Sequence, residues 1–144
     1  MYKKILMPVD IFEMDLSDKA IAHADFLAGA EDATIHMLHV FPKSHRAALR
    51  GFAADVKQSE AFISRDAILK MQRLSKGFKT CSSRIYHEVR FGSVRDEVNR
   101  LAEALEADVV VIGSRSPTGF SSHLLGSTAE NVIRHARIPV FVIR

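Results

Sequence analysis

The sequence predicts an α/β fold: a single three-layer domain over residues 1–144, built on a five-stranded parallel sheet. Three observations carry that prediction. Strand-like and helix-like segments alternate along all 144 residues. Asp108 to Ile112 (DVVVI) is an unbroken apolar run, as expected of a central parallel strand covered on both faces. Proline or glycine punctuates most of the boundaries between segments.

Lys4 to Val9 (KILMPV) is a short apolar run closed by Pro8 and Asp10. Ile21, Ala24, Leu27 and Ala28 then step by three and four, which predicts a helix, with Gly29 as its expected stop. Thr34 to Val40 reads as a second strand, closed by Pro42. Residues 43–56 show no clean period and are expected to form a loop. Ile68, Met71, Leu74 and Phe78 mark a helix over about 57–76. Arg84 to Phe91 alternates in the manner of a strand near a sheet edge. Ser93, with Asp96 three residues on, is a capping pair for a helix whose apolar face is Val94, Val98, Leu101, Ala102 and Leu105. After Asp108–Ile112 comes a long loop, 113–125. Ser127 and Glu130 then cap a last helix, with Ala129, Val132, Ile133 and Ala136 expected inward. Pro139 leads into the final strand, Val140 to Ile143. The order βαβαβαβαβ implies right-handed crossovers and helices on both faces of the sheet.

Composition excludes several classes. Apolar residues make up 47% and charged residues 26%, the balance of a globular protein. The net charge of +3 is spread along the sequence, so no polybasic tract argues for nucleic acid or anionic lipid. It does favour a ligand that bears phosphate. A single cysteine, Cys81, allows no intrachain disulfide. The apolar run at Ile5-Leu6-Met7 stops too soon for a signal peptide, and no stretch approaches the ~20 residues of a membrane span. The expectation is a cytoplasmic, soluble protein. The histidines are scattered, and His36 and His39 fall on opposite faces of one strand, so no metal site is expected.

Ligands of doubly wound sheets sit outside the carboxyl ends of the strands. At the end of the fourth strand lie Gly113, Arg115, Ser116, Gly126, Ser127 and Thr128. Glycines let backbone N–H groups approach an anion, and a capped helix start adds donors and a favourable dipole. From composition alone an ordinary loop before a capped helix explains these residues equally well. At the end of the first strand lie Pro8, Val9 and Asp10, where a carboxylate can accept from ribose hydroxyls, although a turn is the simpler reading. Val40, at the end of the second, has backbone groups to offer a base edge. There is no G-x-x-x-x-G-K-[ST] and no G-x-G-x-x-G, so neither P-loop hydrolysis nor a dinucleotide site is expected. No catalytic residue stands out.

Tyr2 to Asp10 and Asp108 to Arg144 resemble the first strand and the closing segment of the universal stress proteins, and the similarity covers the whole sequence. The ATP-binding branch of that family carries G-x-x-G-x9-G-[ST]. Gly113 matches its first glycine and Gly126-Ser127 its last pair, while Ser116 stands at the second glycine. A Cβ there resists positive φ, so the loop is expected to stand farther from the phosphates. The resemblance implies an adenine nucleotide alpha hydrolase-like fold with strand order 3-2-1-4-5 and two helices on each face. It implies an adenine nucleotide as ligand: ATP foremost, or ADP or AMP, with Mg²⁺ as an optional companion. Asp10 would meet the ribose or adenine, Val40 the adenine, and Ile112 and Gly113 the base and ribose. Ser116, Gly126, Ser127 and Thr128 would hold the phosphates, with Arg115 beside them. It also implies a homodimer through Val140, Phe141, Val142 and Ile143, acting as a stress-response switch read by a protein partner. A slow ATPase, and a dimeric module without nucleotide, are the alternatives.

Overall fold

The computed structural model describes residues 1–14, 17–43, 56–114 and 127–144, with the backbone alone at 56, 57 and 127. The elements are β1 (Lys4–Pro8), α1 (Ser17–Glu31), β2 (Thr34–Phe41), α2 (Val56–Ser75), β3 (Ile85–Phe91), α3 (Val94–Leu105), β4 (Val109–Gly113), α4 (Ser127–His135) and β5 (Val140–Ile143), with a 3₁₀ turn at Ser82–Arg84 before β3. The strands form one sheet in the order β3-β2-β1-β4-β5, every neighbouring pair parallel. This is the predicted order, with β3 at an edge. The expected loops at 43–56 and 113–125 lie almost wholly outside the described residues.

Alternation along each strand divides the core in two. Ile5, Met7, Ile35, Met37, Val109 and Val111 face α1 and α2, packing on Ala20, Ala24, Ala28, Ala67 and Met71. Leu6, Leu38, Val40, Val110 and Ile112 face α3 and α4, packing on Val98, Leu101, Ala129 and Val132. Ile5, Leu6, Met37, Val109 and Val110 are wholly inaccessible to water. A buried aliphatic side chain is worth about 1.5–3 kcal/mol relative to exposure, so this double layer is the main source of stability.

Polar contacts set the ends of the elements. Ser93 caps α3 as predicted, its Oγ accepting from Asp96 N–H at 3.5 Å, and the helix closes at Glu106 in the left-handed region (φ 53°). The Asp96 carboxylate does not reach back; it accepts from Arg95 Nε at 3.1 Å. At the amino end of the sheet, Asp108 Oδ2 accepts from the N–H groups of Lys3 and Lys4, each at 2.9 Å, and Lys4 Nζ donates to Leu105 O. Asp25 of α1 accepts from Lys79 N–H, Thr80 N–H and, at 2.6 Å, the Thr80 hydroxyl, tying α1 to the approach to β3.

Two expectations are corrected. Gly29 does not stop α1, which continues to Glu31 and ends at Asp32 with φ 51°. Nothing lies within 4 Å of a Cβ built on Gly29, so the helix meets no steric reason to break there. Ile133 does not point inward: it is 39% exposed, and among the described side chains of α4 it is Ala129 and Val132 that are buried.

Candidate functional site

Two neighbouring strands part at the carboxyl end of β1, and the residues at its tip are the cause. Alternate residues of β1 address opposite neighbours. Val9 N–H donates to Leu38 O of β2, and Lys4 O, on the other side, accepts from Asp108 N–H. By the same alternation Pro8 faces β4, where its ring nitrogen has no hydrogen to donate. The pairing of β1 with β4 accordingly stops at Leu6–Val110, although β4 continues to Gly113. The two strands stop pairing there, at the point where the strand order reverses and ligands of such sheets are expected.

The β2 side opens one step later. Val40 alternates with Leu38 and Thr34, so its N–H and C=O point toward β1. Pairing of β1 with β2 ends at Pro8–Leu38, and among the described residues neither Val40 group is bonded to β1. The two groups just beyond β1 that would have continued the ladder, Val9 C=O and Ile11 N–H, lie 3.1 Å and 3.4 Å from Nδ1 of the buried His39 instead. Val40 itself is only 7% exposed. A buried backbone donor and acceptor facing an opening call for a partner. A planar ring edge that offers one acceptor beside one donor would complement that pair.

Asp10 stands exposed at the tip of β1. Its Oδ1 accepts from Phe12 N–H at 2.9 Å and its backbone carbonyl from Glu13 N–H at 3.1 Å. It therefore turns the backbone, and this turn presents its carboxylate. Among the described residues Oδ2 has no bonded partner. Ile112 is buried under α3 and α4, while Gly113 is partly open. Beyond it, Ser114 N–H donates to Ile143 O of β5 at 2.8 Å. Arg115, Ser116 and Gly126 lie outside the described residues, as does the Ser127 side chain.

Because the sheet is parallel, the amino ends of α3 and α4 rise from this same edge. Between them runs a groove of about 360 Å³ lined by Ser93, Val94, Arg95, Thr128 and Asn131. Its size lies at the lower end of small-ligand sites. Thr128 is thus joined by residues not singled out as ligands from sequence. Ser93 was legible only as a cap, and nothing in the spacing brings Arg95 and Asn131 beside Thr128. Arg95 shares an exposed ion pair with Asp96, worth little in water, so its guanidinium is available to a stronger anion. Glu97, next along α3, is nearly buried and held by Arg100 at 2.6 Å and Arg90 at 3.4 Å.

Other polar clusters point to no chemistry. Among the described residues no group of His, Cys, Asp and Glu could hold a metal ion, and no helix is long and apolar enough to cross a membrane. Cys81 is an exposed loop thiol beside Ser83. His36 stacks on Tyr86 with ring centres 4.8 Å apart, on the face opposite His39.

Comparison with known proteins agrees with the architecture. The pattern of the universal stress protein family matches residues 1–144. Universal stress protein G of Shigella flexneri is 58% identical over 144 residues, the full length of both proteins. The solved structure of MJ0577, a universal stress protein of Methanocaldococcus jannaschii, superposes with a TM-score of 0.79 at 26% identity, covering 99% of this protein and 96% of that one. A universal stress protein solved in complex with cAMP superposes with a TM-score of 0.64 at 21% identity, covering 99% and 97%, a likeness of fold.

Proposed function

The chain belongs to the universal stress protein family, and from that premise we propose that it binds an adenine nucleotide, ATP foremost, in the crevice between β1, β2 and β4. The observation that carries this reading is the buried N–H and C=O of Val40, which face the crevice without a partner on β1. Adenine presents an acceptor, N1, beside a donor, the N6 amine, on one edge. That pattern complements the backbone of Val40, whereas the same edge of guanine reverses it.

The rest of the ligand follows the carboxyl edge of the sheet. Pro8 and Val9 form the wall where β1 leaves β4, and Asp10 Oδ2 accepts from ribose hydroxyls. Ile112 and Gly113 line the opposite wall, the glycine allowing close approach. The phosphates run toward the start of α4, whose first residues, Ser127 and Thr128, are the donors assigned to them. Gly126, Ser116 and Arg115 complete that end, and the groove carries the phosphate tail toward Arg95. ADP and AMP bind by the same base contacts, and Mg²⁺ accompanies the triphosphate when present.

The protein works as a regulator in the cytoplasm rather than as a fast enzyme. The sequence carries no P-loop lysine to support fast hydrolysis. Two copies associate through β5, an edge strand whose Val140 and Val142 direct their N–H groups away from β4. Nucleotide occupancy biases the surface that a protein partner reads.

Calorimetric titration with ATP, ADP and AMP tests the proposal. Saturable binding is expected for all three, weakened by Gly126→Val and by Ser127→Asp through steric block and charge repulsion. Absence of heat and of thermal stabilisation at millimolar nucleotide rejects it.

A further inference from the structure

We infer that His39 is a positioning residue for base recognition: its imidazole takes the place of the Val40 peptide groups against β1 and so keeps them open to adenine. The inference rests on the nucleotide reading above.

In an uninterrupted parallel ladder Val40 N–H would donate to Val9 C=O, and Ile11 N–H would donate to Val40 C=O. Both of these groups, just beyond β1, are within reach of His39 Nδ1 instead, at 3.1 Å and 3.4 Å. One nitrogen serves one of them at a time, as donor to Val9 when protonated and as acceptor from Ile11 when not. In either state the ring engages the tip of β1 and keeps it out of register with Val40. Packing fixes the ring in that place. His39 is 4% exposed, lies edge-on to Phe41 with ring centres 4.5 Å apart, and meets Phe12 at 5.8 Å. Phe41 in turn stacks on Phe91 at 5.2 Å. His39 and Phe41 are both buried, at 4% and 3% exposure, so packing holds the ring beside the tip of β1.

His39→Phe preserves the aromatic packing and removes the nitrogen. Without it, Val9 C=O and Ile11 N–H are free to pair with Val40, which closes the edge that reads adenine. His39→Asn restores polar atoms near the position of Nδ1. Affinities for ATP and GTP are measured for the three proteins, with thermal melting alongside. The wild type is expected to prefer ATP over GTP by about tenfold or more, the factor that corresponds to ~1.4 kcal/mol of pairing free energy. His39→Phe is expected to bring the ratio to within about threefold, and His39→Asn to recover most of it. In His39→Phe the Val40 amide proton should also exchange more slowly with solvent. A role in packing alone would lower both affinities together and leave their ratio intact. A folded His39→Phe that keeps the wild-type ratio, or a wild type that binds ATP without base preference, overturns the inference while leaving nucleotide binding in place. A wild type that binds neither nucleotide overturns both.

Discussion

Gly92 and Gly29 are expected to respond to the same substitution with opposite sign. Gly92 joins β3 to the cap of α3 and has φ of +156°, where L side chains are rarely found. A Cβ there would lie 3.0 Å from Glu97 Oε1, 3.2 Å from its Cγ and 3.4 Å from its Cδ. Glu97 cannot yield without cost, because it is nearly buried and bridges Arg90 and Arg100. The backbone strain of Gly92→Ala costs about 1–3 kcal/mol. Loosening the carboxylate from its partners adds roughly 1–2 kcal/mol. A total of about 2–5 kcal/mol corresponds to a loss of roughly 5–15 °C in Tm for a protein of this size. Gly29 lies in α1 with ordinary φ and open space around its missing Cβ. Gly29→Ala should therefore stabilise by about 0.5–1 kcal/mol. Urea unfolding monitored by circular dichroism measures both. Equal effects at the two positions, or a Gly92→Ala change below about 0.5 kcal/mol, would refute the steric argument and the rigid corner it assigns to the start of α3.

Further outcomes follow from the same contacts. Burial pushes the Asp25 carboxyl up, but the Thr80 hydroxyl and the Lys79 and Thr80 amides outweigh it and hold its pKa below the ordinary value. A pKa lowered by folding contributes stability above the unfolded value near 3.8, lost as pH falls through the folded one. Asp25→Asn should thus cost about 1–2 kcal/mol at pH 7 and flatten the stability profile below pH 4, as read by denaturant titration across pH. Leu6→Ala, at a wholly buried site, should cost about 2–5 kcal/mol in the same assay. Arg95→Gln should weaken ATP binding roughly three- to tenfold and leave AMP binding unchanged, since in the proposed binding mode only the phosphate tail would reach the groove; equal losses for both nucleotides would remove Arg95 from the site. Val142→Pro deletes an outward N–H of β5 without touching its bonds to β4, and should convert the proposed dimer to a folded monomer on light scattering.

The fold was legible because its signals are local. The unbroken run at 108–112 marked a strand covered on both faces, and the three-and-four spacings marked the helices. Gly29 misled because a helix terminator is recognised by residue type, whereas here the backbone turns at Asp32. Ile133 misled because, among the described side chains of the short α4, only the narrow strip of Ala129 and Val132 is buried. In the candidate site, Asp10, Val40 and Thr128 were visible as residues at strand and helix ends. The reason that Val40 is open was not visible, since it depends on residues from two strands: Pro8 without a donor, and His39 reaching across to Val9 and Ile11. Such a substitution of a side chain for a ladder bond has no periodic signature. Nor does the meeting of Arg95 and Asn131 with Thr128, which only the packing of α3 beside α4 brings about.

The central claim is that the backbone of Val40 reads the edge of an adenine while the start of α4 holds phosphate. An amide-resolved NMR titration with ATP tests it most directly. The account predicts saturable shifts at Val40, Asp10, Gly113 and Thr128 with a common dissociation constant, and AMP reproducing the first three with a much smaller change at Thr128. Shifts confined to other surfaces, or none at millimolar ATP, would contradict it.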